Sequence, residues 1–104
     1  MKRAMICHPM NGISTIEILA VRGKAKRWLI DNGYTVDDTL FEAHSIDPEK
    51  IGVQNTGIYY LSNSLRTMSK CDTVYFCRGW NKSRGCQAEH FVAKSYGLHV
   101  LYED

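Results

Sequence analysis

The sequence lacks any hydrophobic stretch long enough to cross a bilayer, and its first residues, MKRAMICHPMNG, contain no signal-peptide core. It also lacks a large charge of either sign, because 13 Lys and Arg against 11 Asp and Glu leave a net charge of +2. A charge this small gives no reason to expect binding to nucleic acid or to a membrane surface. We therefore expect a cytoplasmic protein whose partners include neither.

Metal-binding patterns are missing as well. The cysteines have spacings that match no zinc motif, and the histidines are scattered along the chain. These residues are Cys7, Cys71, Cys77, Cys86, His8, His44, His90 and His99. Because Cys7 and Cys77 fall within predicted strands, we expect free, buried thiols rather than disulfides. The sequence predicts no metal and no cofactor.

The arrangement of apolar residues predicts one α/β domain over residues 1–104, without a linker or an internal repeat. Apolar runs predict strands over 3–7, 34–36, 73–77 and 98–102. Helical spacing predicts helices from Ser14 or Thr15 to Asn32-Gly33, over about 58–70 and over 85–96, with a long loop over 37–57. This order predicts a three-layer sandwich with a central parallel sheet of four to five strands, flavodoxin- or Rossmann-like.

One edge of such a sheet collects the segments that follow the strands. Here they are residues 7–12, 37–44 and 78–85, and ligands of open α/β sheets bind at that edge. The last segment leads into a helix at Ser83, Arg84 and Gly85, and Glu89 follows one turn later. Since a helix N-terminus favours anions, we expect a small anionic ligand beside Glu89.

Three motifs resemble a known family. They are Pro9-Met10-Asn11-Gly12 after the first strand, Cys71-Asp72 before the third, and Gly79-Trp80-Asn81-Lys82-Ser83-Arg84-Gly85 followed by Glu89. With these motifs the chain resembles the nucleoside 2-deoxyribosyltransferase-like superfamily, in particular a branch of small bacterial and phage proteins. The resemblance covers nearly the whole chain, and its C-terminal part is the more specific.

The resemblance implies an activity and a set of site residues. Glu89 matches the nucleophile that attacks the anomeric carbon, so that the N-glycosidic bond is cleaved or exchanged through a covalent intermediate. Ser83 matches the residue found in relatives that act on nucleoside monophosphates, where a hydroxyl suits a phosphate better than a carboxylate does. The resemblance also implies a homodimer or higher homo-oligomer, with the helix over 58–70 at the contact. The substrate-binding residues implied are His8, Pro9, Met10, Gly12, Ser64, Gly79, Trp80, Ser83, Arg84 and Gly85.

Three differences from the relatives leave alternatives open. His8 stands where relatives carry a Gly before Pro9. Ser64 stands where relatives carry a proton-donating Asp, and Met5 and Ile6 occupy the region of a Tyr that orients the nucleophile. A non-catalytic nucleotide sensor or sponge is therefore an alternative to the enzyme. A structural or partner-binding domain, in which Glu89 only stabilises its helix, is a third possibility.

Several other residues are candidates on position alone. His8, His44, Asp37 and Asp38 lie on segments near the same edge and offer acid–base groups. Tyr59 and Tyr60 offer rings that can stack on a base, although aromatic residues at a helix start more often belong to a core.

Overall fold

The computed structural model describes residues 2–9, 12–37 and 47–103. Strands and helices alternate through this part of the chain, with two short 3₁₀ turns. The strands are β1 (Lys2–Cys7), β2 (Tyr34–Asp37), β3 (Thr73–Phe76) and β4 (His99–Tyr102); the helices are α1 (Thr15–Asp31), α2 (Thr56–Met68) and α3 (Arg84–Ser95); the turns cover Pro48–Ile51 and Trp80–Lys82.

The strands form a parallel sheet in the order β2-β1-β3-β4. In the centre of the sheet, Ala4 of β1 pairs with Val36 of β2 on one side and with Thr73 of β3 on the other. The order matches the first four strands of a flavodoxin-like sheet, in which the chain reverses direction between β1 and β3. A crevice for ligands is expected beyond the carboxyl ends of these two strands.

The period-two alternation of the central strands assigns their side chains to two faces. Met5 and Cys7 belong to the core that packs against α2 and α3, whereas Ala4 and Ile6 belong to the core under α1. In β3 and the residue that follows it, Val74 and Phe76 lie on the α2 and α3 side, and Tyr75 and Cys77 on the α1 side. One helix covers one face and two helices the other, so the predicted three-layer sandwich is confirmed.

Helix α1 has the N-cap and the buried apolar positions that the sequence indicates, and one further buried residue that it did not. Ser14 is the N-cap, and its side chain accepts a hydrogen bond from the Glu17 backbone amide at 3.2 Å. Ala25 and Leu29 are buried as predicted. Arg22, which the pattern grouped with the polar residues between the apolar positions, is 8% exposed and lies with the buried residues of α1.

Three parts of the long loop predicted over 37–57 have regular structure or cap it among the described residues. Asp37 is the last residue of β2, Pro48–Ile51 forms a 3₁₀ turn, and α2 begins at Thr56 with Asn55 as its N-cap. The candidates Asp38 and His44 lie outside the described residues. The turn lies in a segment without clear periodicity, and Asp47 caps it by accepting a hydrogen bond from the Glu49 amide.

The four cysteines are buried free thiols, as expected. None of the helices in the described part of the chain has the length and apolar character needed to span a bilayer.

Candidate functional site

The connection from β3 to α3 is shaped by a glycine. Gly79 has φ of 91°, in the left-handed region, and a Cβ atom at this position would lie 3.4 Å from Cγ of Pro9. That distance is ordinary van der Waals contact, so the positive φ is what favours glycine here, and the loop after β3 lies against the loop after β1. The 3₁₀ turn Trp80–Lys82 follows, and the chain then enters α3 at Ser83.

A groove of about 910 Å³ opens beside this junction, between the beginnings of α2 and α3. Its basic residues are Lys82, at the end of the 3₁₀ turn, and Arg84, the first residue of α3. The full lining consists of Pro9, Asn55, Gly57, Ile58, Leu61, Gly79, Lys82, Ser83, Arg84, Gly85 and Ala88. Five of the predicted substrate-binding residues thus share one cavity wall, namely Pro9, Gly79, Ser83, Arg84 and Gly85.

Helices α2 and α3 both begin at the groove, and each begins with a side chain that caps its first turn. Asn55 caps α2 by accepting from the Ile58 amide at 2.9 Å, and Ser83 caps α3 by accepting from the Cys86 amide at 3.4 Å. These caps engage the third helical amide, and the first two amides of a helix have no partner within the helix. Two positive helix ends therefore face one cavity that also holds two cationic side chains, which favours an anionic ligand.

Gly85, in the first turn of α3, is not required by packing. A Cβ atom at this position would meet no heavy atom within 4 Å, although glycine in a helix costs about 1 kcal/mol relative to alanine. The space that a side chain would take belongs to the groove, which Gly85 lines. The glycine keeps the backbone of the helix start open to close approach by a ligand.

Glu89, one turn further along α3, is 8% exposed and lies at the carboxyl end of the sheet. Burial raises the pKa of Glu89, while interactions with the Cys7 thiol, the Arg22 charge and the Ser64 hydroxyl act against that rise. Glu89 is thus a buried acid whose ionised form is partly compensated by groups from β1, α1 and α2.

Arg22 is the residue of this region that the sequence interpretation missed. It comes from α1, on the other side of the sheet, and its charge acts on Glu89, His8 and Cys77. The signal was present in the sequence, since Arg22 precedes Ala25 and Leu29 at the three- and four-residue spacing of a buried helix face. A charged residue on such a face is rarely buried without compensation, and the charge of Arg22 favours the ionised form of Glu89.

Other predicted residues lie elsewhere. His8 is 8% exposed, and its Nδ1 atom has no hydrogen-bond partner among the described residues. Strand alternation directs it to the α1 side, where burial and the Arg22 charge lower its pKa, opposed by Glu103. His8 is not among the residues that line the groove.

Trp80 belongs to an aromatic cluster instead of the groove wall. Its ring stacks on that of His90 with centroids 4.1 Å apart, and Phe76 and Tyr102 complete the cluster. The role predicted for Trp80 as a direct substrate contact has no geometric support. Its sequence position next to Gly79 did not reveal that the side chain turns towards β4.

The remaining candidates have structural partners or lie apart. Gly12 is exposed with φ of 74°, and Met10 lies outside the described residues. Tyr59 and Tyr60 pack edge to face, with centroids 5.4 Å apart, and neither lines the groove.

The two acids that interact with Arg3, Asp37 and Asp72, have structural partners as well. Asp37 pairs with Arg3, with 2.9 Å between Oδ1 and Nη1. Asp72 accepts hydrogen bonds from the Arg3 amide and the Thr73 hydroxyl. Within the described residues, no group of three or more His, Cys, Asp or Glu is arranged to hold a metal ion.

Comparison with protein families gives one match, which covers residues 2–102 and is described as "Domain of unknown function (DUF4406)". The chain belongs to this family. Comparisons with curated proteins and with solved structures found no match. Because the description of DUF4406 names no chemistry, the activity has to be argued from the groove, Glu89 and their surroundings.

Proposed function

We propose that this DUF4406 protein binds a nucleoside monophosphate and cleaves or exchanges its N-glycosidic bond, with Glu89 as the nucleophile. The proposal rests on one observation, namely that two features lie one turn apart on α3. The helix start, with its cations and exposed backbone, lines the groove, and a buried carboxylate follows on the next turn of the same helix.

The phosphate fits the start of α3. Ser83 Oγ accepts from the Cys86 amide, so its hydroxyl proton is free to be donated to a phosphate oxygen. Lys82 and Arg84 add positive charge, and the Gly85 amide can be approached closely. A carboxylate in place of Ser83 would repel the same group.

Glu89 lies six residues after Ser83, which is about 9 Å along a helix axis at 1.5 Å per residue. Helical side chains point back towards the N-terminus, which brings the carboxylate closer to the phosphate end than its Cα is. In the reaction, a carboxylate oxygen forms a bond to the anomeric carbon as the carbon–nitrogen bond breaks. Water or a second base then displaces the carboxylate, which gives hydrolysis or transfer.

A non-catalytic nucleotide-binding protein is the second candidate, and one observation favours it. Glu89 is 8% exposed and does not itself line the groove, whereas Ala88 and Gly85 on the same helix do. Ser64, which interacts with Glu89, has no acidic proton to offer a departing base. A sensor or sponge would use the anion-binding groove and leave Glu89 without a chemical role.

Base release decides between these two functions. Purified protein is incubated with a panel of ribo- and deoxyribonucleoside monophosphates and the matching unphosphorylated nucleosides, and free base is measured by chromatography. The enzyme predicts base release from at least one monophosphate, faster than from its nucleoside, and none with Glu89→Gln.

Thermal shift on the same panel provides the binding test, because a ligand that binds the folded state raises the melting temperature. A rise without base release would identify the non-catalytic protein. A flat response together with no base release would overturn both functions and leave the structural or partner-binding domain.

The proposal includes an assembly and a location. We propose a homodimer or higher homo-oligomer with α2 at the contact, in the cytoplasm, with no cofactor. Light scattering after size exclusion gives the number of subunits, and a monomer at micromolar concentration would contradict the assembly.

A further inference from the structure

The 3₁₀ turn Trp80–Lys82 contributes to the groove at its two ends, although its tryptophan does not face the groove. Gly79 is the N-cap of the turn, and Lys82 and Ser83 close it. These three residues line the groove. Trp80 is not among the lining residues and lies in the aromatic cluster with His90 and Tyr102. The turn therefore presents one side to the groove and the other to the aromatic cluster.

The Trp80 ring is held by three aromatic side chains from three elements. It stacks on His90 of α3, with ring centroids 4.1 Å apart and 27° between the ring planes. Both rings lie against the fully buried Phe76 of β3, whose centroid is 5.4 Å from that of Trp80 and 5.1 Å from that of His90. Tyr102 of β4 lies 5.6 Å from the Trp80 ring, and its hydroxyl shares a hydrogen bond of 2.7 Å with His90 Nε2. These contacts tie the turn to β3, β4 and α3.

A hydrogen bond provides a second connection between the turn and α3. The side-chain amide of Gln87 donates to the carbonyl of Asn81, which is the middle residue of the turn. Both residues are exposed, so removing the Gln87 side chain leaves no buried polar group without a partner. Neither Gln87 nor Asn81 lines the groove. The turn is thus held at its tryptophan and at its middle carbonyl, from outside the groove.

We propose that His90 and Gln87 are positioning residues of the groove, which hold the turn in the conformation that presents Lys82 and Ser83 to an anionic ligand. A turn that is already ordered loses less conformational entropy when a ligand binds, so its anchors raise affinity without touching the ligand. This inference rests on the proposed function for the identity of the ligand only. The contacts that hold the turn exist in the protein without a ligand.

Amide hydrogen exchange, followed by NMR, tests the anchoring in the ligand-free protein because it reports local opening. The Lys82 amide donates to the Gly79 carbonyl and the Ser83 amide to the Trp80 carbonyl, both at 3.1 Å, so exchange at these two amides follows opening of the turn. His90→Ala should raise both exchange rates by about twofold to tenfold, the range for one aromatic pair. Gln87→Ala should raise them over a similar range, since it removes one hydrogen bond.

Two further variants separate the stack from other effects of a substitution. His90→Phe keeps an aromatic ring against Trp80 and should restore most of the protection of both amides. His99→Ala removes an exposed histidine of β4 that does not belong to the cluster, and it should leave both exchange rates unchanged.

Binding measured by calorimetry is the second readout. The affinity for a nucleoside monophosphate and for inorganic phosphate should fall by about twofold to tenfold in His90→Ala and in Gln87→Ala, because both ligands need Lys82 and Ser83. The affinity for the matching unphosphorylated nucleoside should not change. A merely structural role would lower the melting temperature without separating the ligands that carry phosphate from the nucleoside.

The positioning role and the proposed function fail separately. Unchanged exchange at Lys82 and Ser83 in both alanine variants overturns the positioning role, and so does faster exchange with unchanged affinity for phosphate and monophosphate. A wild type that binds inorganic phosphate but no nucleotide, with the expected losses in the variants, supports the positioning role and overturns the proposed function. A wild type that binds neither overturns both. If His90→Ala shows no cooperative melting, Gln87→Ala decides, because its side chain is exposed.

Discussion

Two carboxylates of this protein, those of Asp37 and Glu89, each interact with an arginine, but Asp37 is partly exposed and Glu89 is buried. Asp37 accepts two hydrogen bonds from Arg3, at 2.9 and 3.1 Å, and the side chains of Arg3 and Asp37 are 43% and 23% exposed. Glu89 is almost fully buried, is influenced by the charge of Arg22, and lies one helical turn from an open groove.

The difference separates a structural acid from a candidate catalytic one. Solvent screens the Arg3–Asp37 pair, so it contributes little beyond linking two strands. Burial makes ionisation of Glu89 costly, and such a cost is tolerated where a reaction or a ligand needs the group. The following predictions test whether the contrast holds.

The largest effect is expected for Glu89→Gln. The amide keeps the shape of the side chain but cannot act as a nucleophile, so base release should fall by roughly a thousandfold or more. Asp37→Asn is the matched control and should retain the wild-type rate. A Glu89→Gln protein that still released base at the wild-type rate would remove Glu89 from the reaction.

Ser83→Asp should weaken binding of a nucleoside monophosphate by about 1–3 kcal/mol, because a like charge replaces a hydroxyl that can donate to the phosphate. Asp remains a good N-cap, so α3 should stay folded. Ser83→Asn provides a neutral cap and should bind more tightly than Ser83→Asp. Calorimetry with the three proteins measures the difference, and equal affinities would mean that Ser83 is only a cap.

The pH dependence of stability gives a smaller effect. Since the folded pKa of Glu89 is raised, its contribution to stability is fully present below the unfolded pKa and is lost as pH rises through the folded pKa. Glu89→Gln carries no such group. The stability of the wild type relative to Glu89→Gln should therefore fall as the pH rises above about 4, the ordinary pKa of a glutamate, in urea denaturation. A constant difference would contradict the raised pKa.

Asp37→Asn should change stability least. It removes one partner of a partly exposed ion pair, and we expect a loss of about 1 kcal/mol or less. The same denaturation series measures it. A loss of several kcal/mol in the free energy of unfolding would mean that the Arg3–Asp37 pair is central to the stability of the fold. The contrast between Asp37 and Glu89 would then no longer separate a structural acid from a functional one.

Most of the architecture was predictable because it depends on local patterns. The apolar runs of β1 and β3, the glycines that end α1 and α3, and the caps at Ser14 and Ser83 are visible in single segments. The start of α3 at the groove was predictable for the same reason, since a cap, a cation and a glycine follow one another along the chain. Alternation along β1 also contained the information that Cys7 and His8 face opposite sides.

The sequence by itself therefore determined the layers, the strand and helix order and the start of α3, through periodicity and capping that act over a few residues. The tertiary structure alone decided which side chains interact with Glu89. Cys7, Arg22, Ser64 and Glu89 come from four elements separated by up to 82 positions, and no local pattern relates them. Their interaction depends on the strand order, which places β1 beside β3 although α1, β2 and α2 lie between these two strands in the chain.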